Sequence, residues 1–440
     1  MSSRREADVA HHTLESGYQQ LVDRLNRAPQ GAPPSEVLFA ILKMLFSERE
    51  AALVAQLPIQ PFTATRAARV WKVSEDQARK VLEELAQRAI LLDALLPDGR
   101  KTYVLPPPMA GFFEFSMMRL RGDLDQKVLA QLFFQYLNVE EDFVRGLFAN
   151  GATQLGRAFV QERALNPDGA LRVLDYESAS EVIRSATRRG VGLCYCRHKM
   201  QHLGRACAAP LDICMTLNAT ADALVRHQFA REVDTAEALD LLQQAQDLGL
   251  VQFGENIQRN VNFMCHCCGC CCEAMIAARK FGVLRPIHTT NFIAVVRVES
   301  CKGCGKCVTA CPVEAMALVS ANDPQKPKKR KARLNDELCL GCGVCIRTCP
   351  TGDLRLQARP ERVIAPVDSV RRAVLMAIER GKLQNLIFDN RALASHRAMA
   401  AILGAILKLP PINQAMASRQ MQSLYLDRLI EWGEKRLSPD

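Results

Sequence analysis

No cysteine precedes residue 194 or follows residue 349, although the 440-residue chain carries 18 of them. Disulfide scaffolds spread their cysteines along the chain, so this confinement argues against one and favours metal binding. Long apolar runs are also missing. The longest, Val37–Phe46 and Ala398–Leu407, are too short to cross a bilayer. Met1–His12 is polar and of mixed charge, without the apolar core of a secretory signal. A cytoplasmic, reducing location is therefore expected, where thiolates stay free for iron. No G-x-G-x-x-G opens a helix, no P-loop occurs, and no Ser/His/Asp pattern stands out. Those gaps leave nothing that points to nucleotide chemistry or acyl transfer.

Hydrophobic residues make up 48% of the chain, enough for ordinary globular cores, and the length implies several domains. The formal net charge of +10 invites a nucleic-acid reading. That sum counts cysteines as neutral, however, and thiolate-bound clusters are anionic. The excess then fits anionic cofactors or acidic partners better than DNA.

Residues 33–108 have the pattern of a winged helix-turn-helix. Ser47 caps a helix to Gln56, Thr65–Trp71 forms a second, Lys72-Val73-Ser74 is the turn, and Ser74 caps a third to about Ala89. Ile90–Leu96 and Lys101–Leu105 flank the hairpin turn Pro97-Asp98-Gly99. The third helix sets Glu75, Asp76, Glu83 and Glu84 against Arg79, Lys80 and Arg88. Its balance is slightly negative, unlike a helix that enters a DNA groove. Packing or protein contact is the expected use, and nucleic-acid binding is disfavoured. From Gly111 to Glu162 the pattern is helical, with Phe112, Phe113, Phe115, Met117 and Met118 as a core stripe. Leu171–Tyr176 reads as a short strand and Glu177–Arg188 as a helix. Thr235–Gly249 reads as a helix capped by Thr235. Towards the end, helices are expected over Ser369–Arg380, over Ala394–Leu409 before Pro410-Pro411, and on to Leu437.

What stands out is a repeated tract. Cys301, Cys304, Cys307 and Cys311 follow C-x2-C-x2-C-x3-C and precede Pro312. Cys339, Cys342, Cys345 and Cys349 repeat the spacing, 38 residues later, before Pro350. A [4Fe–4S] cube needs one thiolate per iron, and three closely spaced cysteines can wrap one cube. The fourth, expected to start a helix and point away, reaches the other cube. Cys301, Cys304, Cys307 and Cys349 are thus assigned to one cluster, and Cys339, Cys342, Cys345 and Cys311 to the other. Gly303, Gly305, Gly341 and Gly343 let backbone N–H groups approach the sulfides. Strands are expected at Ala294–Val298 and Ala315–Val319, paired around the first tract, and at Ala332–Leu334 and Leu354–Leu356, paired around the second. At all eight cysteines and both prolines the segment resembles the bacterial-type dicluster ferredoxins. The resemblance implies a low-potential, one-electron carrier with two close cubes. The basic run Asn322–Arg333 departs from that compact pattern. It is expected as an exposed loop, either merely solvated or a dock for an acidic redox partner.

Two further tracts lie upstream. Cys194, Cys196, Cys207 and Cys214 could hold a third iron–sulfur cluster, with Arg197 donating to its sulfides. Zinc held with His198 or His202, or redox-active thiols, are the alternatives. Cys265, Cys267, Cys268 and Cys270 belong to a run, Cys265 to Cys272, with six cysteines in eight residues. Core packing does not explain such a run, and a metal site completed by the first tract does. Cys267-Cys268-Gly269 is similar to the CCG motif of heterodisulfide reductase subunits, which bind non-cubane clusters, although those have two such motifs. Over about residues 170–400 the arrangement resembles large proteins that place a dicluster module behind a CxCR tract and a cysteine-packed loop. No established reaction comes with that likeness.

The expected fold is α+β. It is a mostly helical, multidomain chain with an N-terminal winged helix (33–108), a helical domain bearing the upstream site (109–291), a small βαβ-repeat dicluster domain (292–358) and a C-terminal helical region (359–440). The expected function is iron–sulfur electron transfer, as a carrier or the wiring subunit of a redox complex, with redox proteins as partners. An oxidoreductase with a catalytic upstream site, or an iron–sulfur regulator using the winged helix, are the alternatives.

Overall fold

Side-chain caps divide the N-terminal part into short helices. The computed structural model describes residues 16–96, 98–148, 151–166, 173–282, 285–389 and 394–407. Helices α1 (Gly17–Arg27), α2 (Glu36–Leu45) and α3 (Glu48–Gln56) each start at a serine whose side chain accepts a backbone N–H of the first turn. Helices α4 (Ala64–Trp71) and α5 (Glu75–Gln87) follow, with Lys72 in the left-handed region (φ 56°) making the turn between them. Ser47 and Ser74 both form capping boxes, with Glu50 and Gln77. Such reciprocal bonds satisfy two otherwise orphaned donors, which is why these helix starts were readable. Strands β1 (Phe62–Thr63), β2 (Leu92–Leu95) and β3 (Lys101–Val104) form an antiparallel sheet in the order β1-β3-β2. Of the expected hairpin turn, Pro97 lies outside the described residues. The hairpin is tied to the rest of the chain through Asp93, which accepts from Arg226 at 2.6 Å and His227 at 2.9 Å. Burial opposes ionisation there, but the bonds from His227 and Arg226 hold the Asp93 carboxyl well below the usual range.

From Gly111 to Glu162 the chain is less helical than expected. Helices cover Gln126–Phe134 and Asp142–Phe148, and a strand covers Gly156–Ala158. The stripe Phe112, Phe113, Phe115, Met117, Met118 is buried. Residues 171–172 lie outside the described residues, and Asp175–Glu177 is a 3-10 turn rather than a strand. The helix that follows is shorter than expected, Ala179–Ser185.

The centre is a six-stranded antiparallel sheet that the sequence reading did not anticipate. Its strands are β4 (Gly156–Ala158), β5 (Arg189–Gly192), β6 (Cys214–Leu217), β7 (Arg231–Glu232), β8 (Val251–Glu255) and β9 (Phe263–Cys267), in the order β4-β8-β9-β6-β5-β7. Every residue of β8 is buried, so this strand shows no polar–apolar alternation by which to recognise it. Three helices matter for the site: α6 (Tyr195–His202), α7 (Thr235–Asp247) and α8 (Glu273–Phe281). The cap of α7 is Asp234, which accepts from Glu237 N, and Thr235 is its first helical residue. The shift by one position follows from the carboxylate being the stronger acceptor.

In the cysteine-repeat segment, strands β10 (Phe292–Val296), β11 (Met316–Ser320), β12 (Arg330–Leu334) and β13 (Leu354–Ala358) pair differently from expectation. The outer strands pair with each other, Phe292 opposite Ala358, and the inner strands likewise, Met316 opposite Leu334. A short connection between β11 and β12 closes a hairpin cheaply, and that leaves β10 and β13 as partners. Helices α9 (Lys306–Ala310) and α10 (Val344–Thr348) pack on each other. Helix α11 (Ser369–Glu379) returns to the central sheet through Arg372, which pairs with Glu255 at 2.8 Å. A helix covers Ala394–Leu407. The expected continuation to Leu437 lies outside the described residues. Among those described, no helix is long and apolar enough to cross a membrane.

The mixed α and β architecture sets two scales of stability loss. Ser47→Ala removes one cap and is expected to cost about 1 kcal/mol. Leu42→Ala, in the fully buried core of α2, is expected to cost about 2–5 kcal/mol. Urea denaturation of the two variants checks both values.

Candidate metal centres

Two small cavities lie between the repeated tracts, and their walls interleave the sulfurs. One is lined by Cys301, Cys304 and Cys307 together with Cys349. The other is lined by Cys339, Cys342 and Cys345 together with Cys311. The fourth cysteines end the short helices α9 and α10 rather than start them. Backbone N–H groups point at the sulfurs: Ala332 at Cys301 (3.4 Å), Ala315 at Cys311 (3.2 Å) and Gly341 at Cys339 (3.4 Å). Donors of this kind stabilise thiolate-bound clusters. The tight loops depend on two glycines with positive φ. A Cβ on Gly303 would lie 2.2 Å from Arg330 O, and one on Gly341 would lie 2.0 Å from Phe292 O. Burial pushes the Cys342 thiol up to about 12 and raises Cys345 as well. A bare thiolate is disfavoured at such places, and a bound cation removes the penalty. The residues present therefore fit two cubes.

The two sulfur sets differ in exposure. Cys304 is exposed, and the basic turn with Lys326 and Lys328 lies on the same side, since Arg330 covers Gly303. Arg330, Lys331 and Arg333 belong to β12, so the loop is shorter than the basic run. Cys339, Cys342 and Cys345 are buried. Gln161 N donates to Cys342 O at 2.9 Å, and Arg347 bonds Asp247 of α7 at 2.6 Å.

The ten upstream cysteines form two groups that cut across the sequence tracts. Cys207, Cys268, Cys270 and Cys271 have their sulfurs within 4.8 Å of one another. The sulfurs of Cys271 and Cys207 are 3.9 Å apart, and those of Cys270 and Cys271 3.6 Å. Four sulfurs at ~2.3 Å from one tetrahedral ion would be ~3.8 Å apart. This set thus has the size of a single-metal site. Gly269, inside it, packs on the module: a Cβ there would lie 2.6 Å from Pro312 O, next to Cys311.

The other six, Cys194, Cys196, Cys214, Cys265, Cys267 and Cys272, form a closed ring in which each sulfur contacts two others. The order is 194-196-272-267-265-214 and back to 194. The Cys272–Cys267 separation is 3.0 Å. Cys194 and Cys272 are the N-cap residues of α6 and α8. Cys265 and Cys267 share one face of β9, and Cys214 starts the neighbouring strand β6. Hydrogen bonding around the ring alternates. The Cys196 and Cys214 thiols hold Cys194 well below its ordinary value, Cys214 and Cys267 lower Cys265 to about 5, and Cys196 and Cys267 lower Cys272 to about 6. The three sulfurs between them are raised in turn by those neighbours.

All six line a cavity of about 660 Å³, against about 20 Å³ for each cavity in the repeated tracts. Arg197 is buried between the two upstream groups. Its guanidinium donates to Pro210 O at 2.5 Å and to His266 O, while its Nε has no partner. Nε is thus free for the expected bond to a sulfide, beside the second N–H of each terminal nitrogen. His198 and His202 contact each other, with 3.1 Å between their Nε2 atoms, and neither joins a thiol group. Glu114 was missed by sequence reasoning. Its carboxyl faces the cavity, and burial, then the Cys265 sulfur, pushes it well above the carboxylate range. A lone acid inside Phe112–Phe115 was the available signal. Lys199 and Glu273 form a buried ion pair between α6 and α8, with Asn138 bonded to both.

Residues 300–352 match the family model of the 4Fe-4S dicluster domain. No curated protein and no solved structure matches the chain. The iron–sulfur module is therefore supported, and the wider likeness over residues 170–400 is not. Gly341→Ala is expected to lower the iron held by the Cys339 set, roughly half of the module's iron, and to spare the Cys301 set. Gly303→Ala should do the converse. Iron analysis with EPR of the reduced protein distinguishes them.

Proposed function

We propose that the chain is an iron–sulfur electron-transfer protein that holds two [4Fe–4S] cubes. Cys301, Cys304, Cys307 and Cys349 hold one, and Cys339, Cys342, Cys345 and Cys311 hold the other, in a ferredoxin-like repeat spanning about residues 292–358. The single observation that carries this reading is the interleaving of sulfurs around two separate cavities. A bound cube of this kind supplies one-electron transfer. The residues do the rest: N–H donors and burial set the sulfur environment, and the two faces of the module are dissimilar.

The outer face, with Cys304 and the basic turn, is the docking side for an acidic redox partner. The inner face abuts Gly269 and thereby the set Cys207, Cys268, Cys270, Cys271, which we assign to one further metal ion. Iron at that position extends the electron path, and zinc makes it a structural clasp. Free thiols of this number need a reducing compartment, which favours the cytoplasm.

Residues 33–108 are read as a winged helix used for internal packing, followed by the domains 109–291 and 359–440. Several charges of its third helix are paired within the fold. Arg79 pairs with Glu75 at 2.6 Å, and Glu83 takes Lys101 at 2.8 Å and Tyr103 at 2.6 Å. Its hairpin is held by Arg226 and His227 through Asp93. These contacts favour an anchored module over a DNA reader.

Anaerobically purified protein is expected to carry about eight irons and as many sulfides in the module. Cys349→Ser should perturb the same EPR signal as Cys304→Ser and leave the signal sensitive to Cys345→Ser in place. Perturbation of the opposite signal would overturn the assignment. Replacing Lys326 and Lys328 by Glu should slow electron exchange with an acidic redox protein about tenfold at low salt, and the difference should vanish at high salt. Stopped-flow kinetics reads this directly.

A further inference from the structure

We infer that Cys194, Cys196, Cys214, Cys265, Cys267 and Cys272 together hold one polynuclear iron–sulfur cluster of more than four irons, at the wall of an internal cavity that admits a small, largely apolar molecule. This rests on the electron-transfer reading for its supply of electrons, but not for its ligands.

The ligand count comes first. A [4Fe–4S] cube has one terminal thiolate position per iron, so four sulfurs saturate it. Here six sulfurs line one cavity wall, carried by the starts of α6 and α8 and by the neighbouring strands β9 and β6, with Cys272 and Cys267 3.0 Å apart. A single ion does not suit them either. Among the described residues, only the Cys207 set has all its donors within 4.8 Å of one another. Division of the upstream cysteines into four and six uses all ten, and the module uses the other eight.

The surroundings match a large anionic cofactor. Two helices of eight and nine residues, α6 and α8, begin at ring cysteines, so their N-terminal partial positive charges face the sulfurs. Arg197, 1% exposed, adds a full positive charge. Buried donors of this region lack partners in the chain, among them Arg197 Nε and the Tyr195 hydroxyl. Buried polar groups of proteins are seldom left unpaired, and cluster sulfides are natural acceptors for them.

The cavity sets this centre apart from the module. Sites fit for one cube show about 20 Å³ each, whereas the six-sulfur wall faces about 660 Å³. That is the range of small-molecule pockets, and it leaves room beyond the cluster. Phe115, Met118, Phe253, Met376 and Leu383 make the wall mainly apolar. An uncharged or weakly polar molecule fits that lining, with Glu114 as a polar contact.

The test uses the full chain, loaded anaerobically with ferrous iron and sulfide. Wild type should bind more than about four irons beyond the module and the single-metal site. Cys265→Ser and Cys214→Ser should each lose that excess with its sulfide and keep the module's EPR signals. Cys270→Ser should lose one metal ion and no sulfide. The inference fails if the excess is absent, if it survives both ring variants, or if it disappears with Cys270→Ser. Mössbauer spectra of wild type decide the matter even where a ring variant does not fold. A spectrum accounted for by two cubes and one tetrahedral ion overturns the proposal. Cyanide added to the reduced wild type should shift the excess-iron signal alone, and no shift would remove the link to the cavity. Absence of module signals beside a retained excess would instead defeat the electron-transfer reading and leave the six-sulfur centre standing.

Discussion

Strand β9 is the element on which the upstream half depends. Side chains alternate along an extended chain, so Cys265 and Cys267 fall on one face, with His266 on the other. Antiparallel pairing with β6 brings Cys214 to the same neighbourhood, although some fifty residues separate the two strands. Pairing with β8 on the other side buries the strand. Immediately after β9 the chain turns through Cys268–Cys271 and enters α8 at Cys272. One short segment therefore supplies both upstream groups. Cys265 and Cys267 reach one group from the strand, and the turn beyond it carries Cys268, Cys270 and Cys271 to the other.

Around that strand the fold is layered for contact between centres. The module meets the central sheet through its buried sulfur set, by way of Gln161, Arg347 and the Gly269–Pro312 packing. Its other set includes the exposed Cys304 and lies beside β12, whose Arg330 packs on Gly303. The buried Lys199–Glu273 pair fastens α6 to α8, the two helices that begin at ring cysteines. A buried ion pair is costly to desolvate and adds little net stability, so its effect is to fix geometry. Here it ties together the helices that begin at Cys194 and Cys272. Helix α11 closes the far side through Arg372 and Glu255.

Local signals were legible and long-range ones were not. The Ser47 and Ser74 caps, the turn at Lys72 and the hairpin of β2 and β3 depend on neighbours within a few residues, and they appear where the sequence puts them. Mixed α and β content was also legible. The eight module cysteines, whose spacing is repeated and tight, line two separate cavities, four to each. The strand partners around them were misread, since the alternatives differ only in which distant segments meet. Cys207 and Cys268 lie together with Cys270 and Cys271 across two sequence tracts, since β-pairing rather than chain proximity decides which segments meet. The central sheet was missed because β8 is buried along its whole length and β4 and β7 are very short.

The connection between β11 and β12 has a consequence for how such a chain can vary. Residues 321–329 leave and re-enter a paired hairpin, with Ala321 N bonded to Lys329 O at 2.9 Å. Both sulfur loops are anchored below that closing bond, so the distance between the tracts along the chain is not fixed by cluster geometry. The tip can lengthen, shorten or change charge at small entropic cost. Partner choice and cofactor assembly are thus separable properties of the module, and the tip is also the natural place to graft a label or a foreign recognition peptide.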